Sequence, residues 1–422
     1  MMKLDWYRGW NIVAAATCLT LLTVGLRLGT GPFFLPMARD LGFSRSELST
    51  VVGVGMLFYG LAMPLAGWLV ARIGTRAVIA LGLAMVVIAV AWTMVARTPF
   101  TLCLSFGMLL SVGLGFISPV VLTPVICRWF ARQRAQALFF LSTGSMAGIA
   151  LMTPIFSVSI SAFGWQHTLV GYSVALTVAA TAAVIFVIRD EIPATAANPN
   201  YAAVEIPEDM RTAEANGRFL VAFWSTPFLK IFLGLFACGF SMNLLGTHGV
   251  PMLVDHGFDS TTSSLGIGTI GLVAILGTVL IGRVADRVPR RNLLALIYGV
   301  RGLGFFALLM VSSPAGLFTA AAVGGLVWAG SIATSSAMLA DMYGVRLVGV
   351  LYGTAYVGHQ IGATISTWLG GWGYEQYGTH WIAFGSAGVL LLIAAAISLR
   401  LPADGFAFWM NRARQSSAPA AL

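Results

Sequence analysis

The sequence contains one unit twice, and this duplication constrains the fold more than any single residue does. Gly67, Ala71, Arg72, Gly74 and Arg76 align with Gly282, Asp286, Arg287, Pro289 and Arg291 at an offset of 215 residues. The same offset pairs Pro36 and Met37 with Pro251 and Met252, Asp40 with Asp255, and Gly42 and Phe43 with Gly257 and Phe258. Two copies of one unit imply a pseudo-two-fold axis, and a ligand is expected between the copies.

Each copy is too apolar to be a soluble domain. Charged residues make up 9% of the chain, hydrophobic ones 58%, and mean hydropathy is +0.88, against roughly 25% charge in soluble domains. Apolar runs of about 20 residues, long enough to cross a bilayer, recur throughout. They predict helices near 9–33, 47–71, 77–96, 100–126, 136–161, 167–188, 228–253, 263–282, 292–312, 315–340, 347–371 and 379–400. The expected fold is all-α, with twelve transmembrane helices in two pseudo-symmetric six-helix bundles.

Charge placement predicts orientation. With the N-terminus inside, Arg39, Arg45 and Arg97 are the outer cations, Arg27 and Arg301 fall within the membrane, and the other 19 of the 24 Lys and Arg residues lie at the cytoplasmic side. This is a positive-inside distribution. The net charge of +9 then reflects topology and attraction to anionic lipid, not nucleic-acid binding. The first apolar stretch reads as a spanning helix with no small-residue cleavage site ahead of it. Cys18, Cys103, Cys127 and Cys238 have no CxxC spacing, so no disulfide framework or zinc site is expected. The polar stretch 190–226, rich in Pro, Asp and Glu, reads as a cytoplasmic linker with a short surface helix near 208–217. The domain reading is therefore an N-terminal bundle 1–189, the linker 190–226, a C-terminal bundle 227–401 and a cytoplasmic tail 402–422.

The duplicated Gly-x-x-x-Asp-Arg-x-Gly-x-Arg loop resembles the signature of the major facilitator superfamily, across essentially the whole chain. The first copy has Ala71 in place of the usual Asp, and the second has Pro289 in place of the second Gly. The resemblance implies transport by alternating access, with Arg72, Arg76, Asp286, Arg287 and Arg291 as gating residues. Arg8-Gly9-Trp10, the stretch Leu41 to Leu48, Arg128-Trp129-Phe130, Thr247 to Pro251 and Gly358 to Ala363 resemble bacterial monocarboxylate-transporter-like members related to oxalate/formate antiporters. The resemblance implies that helices 7 and 11 line the central cavity.

Candidate binding residues follow from the cost of polar groups in lipid. Arg27 offers a fixed charge and a bidentate fork suited to a carboxylate, although a position toward the outer interface would let it snorkel. Arg301 falls near mid-membrane, where it binds substrate or braces helices. His248 and His359 are expected to bind substrate and to exchange protons near neutral pH. Asn243, Gln360, Tyr59 and Tyr356 supply further polar tips, and Tyr352 is a related candidate. Trp328, Trp368, Phe116, Met146, Met152 and Met242 are candidates for an apolar wall. Gly144 with Gly148, and Gly358 with Gly362, form smooth faces for close helix packing.

No Asp or Glu falls at mid-membrane in the predicted spans, which disfavours a cationic cargo. A single strong cation with histidine fits a monocarboxylate better than a dianion. The expected function is a secondary transporter of a small organic anion with proton symport, monomeric, in the bacterial inner membrane, with both termini cytoplasmic. No cofactor, resident metal or enzymatic activity is expected. Two rivals are proton-coupled efflux of amphiphiles, and copper import through His248 and Met252 as soft ligands.

Overall fold

The computed structural model describes residues 8–130, 134–189, 222–285, 288–343 and 345–402. Their α-helices are α1 (Gly9–Leu28), α2 (Gly31–Leu41), α3 (Arg45–Val95), α4 (Pro99–Leu102), α5 (Leu110–Phe116), α6 (Pro119–Trp129) and α7 (Arg134–Ala182). The series continues with α8 (Thr226–Asp255), α9 (Ser260–Ala285), α10 (Arg290–Leu309), α11 (Pro314–Leu326), α12 (Gly330–Tyr343), α13 (Val345–Tyr377) and α14 (Ser386–Leu399). Wider π-helical turns at Cys103–Leu109, Ala183–Val187 and Trp381–Gly385 abut α5, α7 and α14.

Ten helices among the described residues are long and apolar enough to cross a membrane. One of these stretches, Phe140–Val187, has 48 residues, about 70 Å of helix and enough for two crossings. Its break is Gly164, at φ +78°. The 33-residue α13 is a further long helix outside those ten. Together these elements account for the twelve segments predicted from hydropathy. The loop expected between 71 and 77 is instead one residue of non-helical backbone, Gly74 at φ +81°.

The duplication reaches individual backbone angles and caps. Gly42 and Gly257 have φ +69° and +92°, and Gly164 and Gly378 have +78° and +63°. These left-handed positions are open to glycine and strained for other residues. Ser44 caps α3 by accepting from Glu47 N at 3.1 Å, and Glu47 Oε2 accepts from Ser44 N at 2.8 Å. Its counterpart Asp259 caps α9, its Oδ1 accepting from Thr261 N at 3.0 Å and Thr262 N at 2.9 Å. Pro289 breaks the correspondence with Gly74, its φ being −55°.

The chain divides into two compact units, Met1–Glu205 with Asn243–Leu272 and Thr367–Thr379, and Ile206–Met242 with Val273–Ser366 and His380–Leu422. Helices α8, α9 and α13 each contribute one portion to each unit. In the first unit α7 presses on α1 through its glycines. A Cβ on Gly144 would lie 2.6 Å from Thr17 O, and one on Gly148 would lie 2.6 Å from Leu21 O. In the second, Gly358 and Gly362 bring α13 against Phe232 and Phe236 of α8, as the shared spacing predicts. Leu293, Ile297 and Val327 form a small buried cluster there.

Candidate functional site

Arg27 sits in the last turn of α1, but the span does not end there. Gly29 N bonds Gly25 O at 2.8 Å, and α2 restarts at Gly31 with Pro32 in its first turn. Arg27 lies 18 residues into the run Gly9–Leu41. Arg27 is buried at 8% exposure, so it does not snorkel. Its charge lies at the negative end of the α1 dipole, which is stabilising. The second repeat lacks this break, since α8 is continuous through Met242, the counterpart of Arg27.

Arg27 Nη2 donates to Asn243 Oδ1 at 3.1 Å, and its guanidinium stacks 4.1 Å above the Tyr59 ring. Arg27, Thr30 and Tyr59 open on a small cleft whose apolar wall includes Val52, Met56, Phe106, Leu110 and Leu114, with Ser111 as a further hydroxyl. Among the described residues, the cleft lining contains no carboxylate. All of these lining residues belong to the first unit. None of the six apolar-wall candidates lines this cleft. Met152 instead packs against Gly25, and Trp328 lies under Arg301. Periodicity could not reveal Val52, Met56, Phe106, Leu110 and Leu114 as wall residues, because each also reads as ordinary core.

His248 lies in the same unit, 2% exposed. Its Nε2 is 2.8 Å from Thr367 O and 3.4 Å from Ser49 Oγ, and its ring packs edge-on to Phe34 at 4.8 Å. A carbonyl only accepts, so Nε2 carries a proton, and a further proton would add at Nδ1. Among the described residues no group of three His, Cys, Asp or Glu side chains is placed to hold a metal.

The other candidates fall in the second unit. His359 is buried, stacks on Tyr356 at 4.7 Å and 6°, and its Nδ1 lies 3.5 Å from Gln360 Oε1. Arg301, 1% exposed, faces neutral groups. Its Nη1 lies 3.4 Å from Cys238 Sγ, Trp328 O and Ser331 Oγ, and its Nη2 lies 3.3 Å from Cys238 O. Trp328 stacks beneath it at 4.2 Å.

Of the gating residues, Asp286 and Arg287 lie outside the described residues, as does 190–221 of the expected linker. Arg72 stacks on Trp68 at 4.1 Å. Arg76 Nε donates to Ile188 O at 2.6 Å, and its counterpart Arg291 donates to Leu401 O at 3.2 Å. Each satisfies a carbonyl at the end of its repeat's last helix. Arg290, adjacent to the predicted set, pairs with Asp341 at 2.5 Å. The sequence motifs at the ends of helices 1 and 4 also meet. Trp10 packs on Phe130 at 4.9 Å, and Trp129 Nε1 donates to Arg189 O at 3.0 Å.

Comparison with known proteins gives the same picture. The profile of the Major Facilitator Superfamily matches residues 13–314 and 231–417. The MFS-type transporter YcxA of Bacillus subtilis is 25% identical over 373 residues, covering 86% of each chain. Human monocarboxylate transporter 11 is 25% identical over 413 residues, covering 93% of this chain and 83% of its own. A bacterial homologue of the human lysosomal transporter Spinster superposes with a TM-score of 0.69 at 15% identity, over 94% of this chain and 97% of that one. This chain is a multi-pass, all-helical membrane transporter and belongs to the major facilitator superfamily.

Proposed function

We propose that this transporter carries a small monocarboxylate across the bacterial cytoplasmic membrane by alternating access, coupled to proton symport. The observation that carries the reading is Arg27, a buried guanidinium at a broken helix beside a cleft with no carboxylate among its described lining residues. A buried cation in such a site favours an anion, and the guanidinium fork matches a carboxylate. The break between α1 and α2 supports this, because broken transmembrane helices offer dipole ends and backbone groups to cargo. Thr30 and Tyr59 add polar tips, while Val52, Met56, Phe106, Leu110 and Leu114 suit a short apolar body. The similarity to human monocarboxylate transporter 11 points the same way.

His248 is the first proton site on this reading, because its Nε2 is held by Thr367 O and Nδ1 is the atom that gains the proton. His359, with Gln360 and Tyr356, forms a second polar set. Arg301 acts as a brace, its donors directed at groups of α8, α12 and the turn at Trp328. The chain is a monomer of two six-helix halves, 1–189 and 227–401, with both termini cytoplasmic. Proteoliposomes with an imposed inward proton gradient test this by uptake of labelled lactate, pyruvate and benzoate. Uptake of at least one, abolished by collapsing the gradient, is expected. Failure of all three while an organic cation or copper is moved would overturn it.

A further inference from the structure

Helix α8 reaches the first repeat with polar contacts at Asn243, His248 and Asp255, all inside the first unit. Asn243 is the partner of Arg27, and Asp255, twelve residues on, lies about 18 Å further along the helix. Arg45 Nη1 and Nη2 reach Asp255 Oδ2 and Oδ1 at 2.5 and 2.9 Å, a bidentate pair. Tyr374 of α13 stacks against Arg45 at 3.9 Å, and Glu375 Oε2 accepts from Ser46 N at 2.9 Å. Gly371 allows this approach, since a Cβ there would lie 2.5 Å from Arg45 O. The start of α3 and the ends of α8 and α13 thus form one tight seam.

The repeat shows that this seam is more than shared scaffold. Asp40, the counterpart of Asp255, stays within its own repeat, accepting from Trp165 Nε1 at 3.0 Å and Gln166 Nε2 at 2.5 Å. Arg45 has Ser260 as its counterpart. An acid that braces one repeat has therefore become, in the other, half of an ion pair joining the two. The pair is partly hydrated, with side-chain exposures of 23% and 18%, so it is reversible in a way that a dry apolar seam would not be.

We propose that Asn243 is a stand-in ligand for Arg27, displaced by the substrate carboxylate, and that α8 passes this displacement to the Arg45–Asp255 latch. The proposal rests on the reading that Arg27 binds a carboxylate. A neutral amide oxygen is a weaker partner for guanidinium than a carboxylate is. When cargo takes the fork, α8 loses its Asn243 tie to the first repeat. The seam keeps the ties at His248, at Ser46 with Glu375 and at the latch, and with one tie fewer it opens more often. Cargo therefore gates its own passage, because it binds the state lacking the Arg27–Asn243 bond more tightly.

Hydrogen exchange on the native full-length protein in nanodiscs tests this, read over residues 44–50 and 367–377 with and without lactate or benzoate. Either acid is expected to raise exchange in both segments about fivefold or more. Asn243→Ala should raise it similarly without any acid and abolish the further increase. Asp255→Asn should raise it at rest, and the exchanged pair Arg45→Asp with Asp255→Arg should restore slow exchange, which a misfolded protein would not do. Unchanged exchange in Asn243→Ala overturns the coupling, and unchanged exchange in Asp255→Asn overturns the latch. Acids that are transported without affecting either segment overturn displacement. Acids that are neither transported nor active, with both single variants still opening the seam, refute the carboxylate reading and leave the α8 coupling standing.

Discussion

Two buried arginines in this transporter have opposite surroundings. Arg27 ends a helix, borders a cleft, and contacts a side-chain amide and a ring. Arg301 lies inside an unbroken helix, at 1% exposure, among a thiol, a hydroxyl and two carbonyls at 3.3–3.4 Å. Both guanidiniums also lie on an aromatic face, at 4.1 and 4.2 Å. The cation alone therefore does not mark a binding site. What distinguishes Arg27 is the adjoining space and the break in its helix, which leave room for a second partner.

The sharpest test of this contrast is Arg27→Ala, which should leave folded yield near normal and reduce carboxylate uptake at least about thirtyfold, the equivalent of about 2 kcal/mol or more from a lost charged contact. Normal uptake would break the comparison. Arg301→Ala should act on stability instead, costing about 2–5 kcal/mol through the cavity and lost packing, while KM stays unchanged. Arg301→Met should recover most of that loss, since apolar replacement of buried charge is often neutral. Thermal unfolding and KM measured together decide it, and a tenfold rise in KM at unchanged Tm would make Arg301 a binding group.

The rings give a smaller version of the same split. Tyr59→Leu removes a cation–π contact of about 0.5–2 kcal/mol and should raise KM roughly two- to thirtyfold. Trp328→Leu should lower Tm without moving KM. The smallest effect is a control at the α9 cap. The Asp259 carboxyl is held below the usual carboxylate range by hydrogen bonds from the Thr262 side chain and from the Thr262 and Thr261 backbone. Its folded-state pKa is depressed, so its stabilising contribution is present above the ordinary Asp value and is lost as pH falls through the folded value. Asp259→Ala should therefore lower Tm by about 2 °C or less at neutral pH, a difference that vanishes in acid. Uptake at neutral pH should not change.

Much of the fold was legible because the membrane makes helices obligatory and the duplication repeats their punctuation. Gly42 and Gly257, or Ser44 and Asp259, do the same work in both copies. The arginines at 76 and 291 also make matching contacts, each donating to a carbonyl just past the last helix of its repeat. The site was legible in part. Arg27, Asn243 and Tyr59 were identifiable as polar residues in apolar spans, and the structure brings those three together. The Arg45–Asp255 pair was missed because Arg45 read as an outer cation and Asp255 only as the repeat mate of Asp40, and sequence spacing carries no information about a partner 210 residues away.

The sequence by itself determined the class, the helical segments, the two-copy plan and which polar residues would have to justify their burial, since each of these follows from local transfer energies and short-range periodicity. Tertiary structure decided which arginine faces space and which is enclosed, which of two equivalent aspartates stays within its own repeat and which pairs with the other, and where a broken helix becomes a continuous one. Those outcomes depend on what neighbouring helices leave unfilled, a property of packing that no single segment encodes.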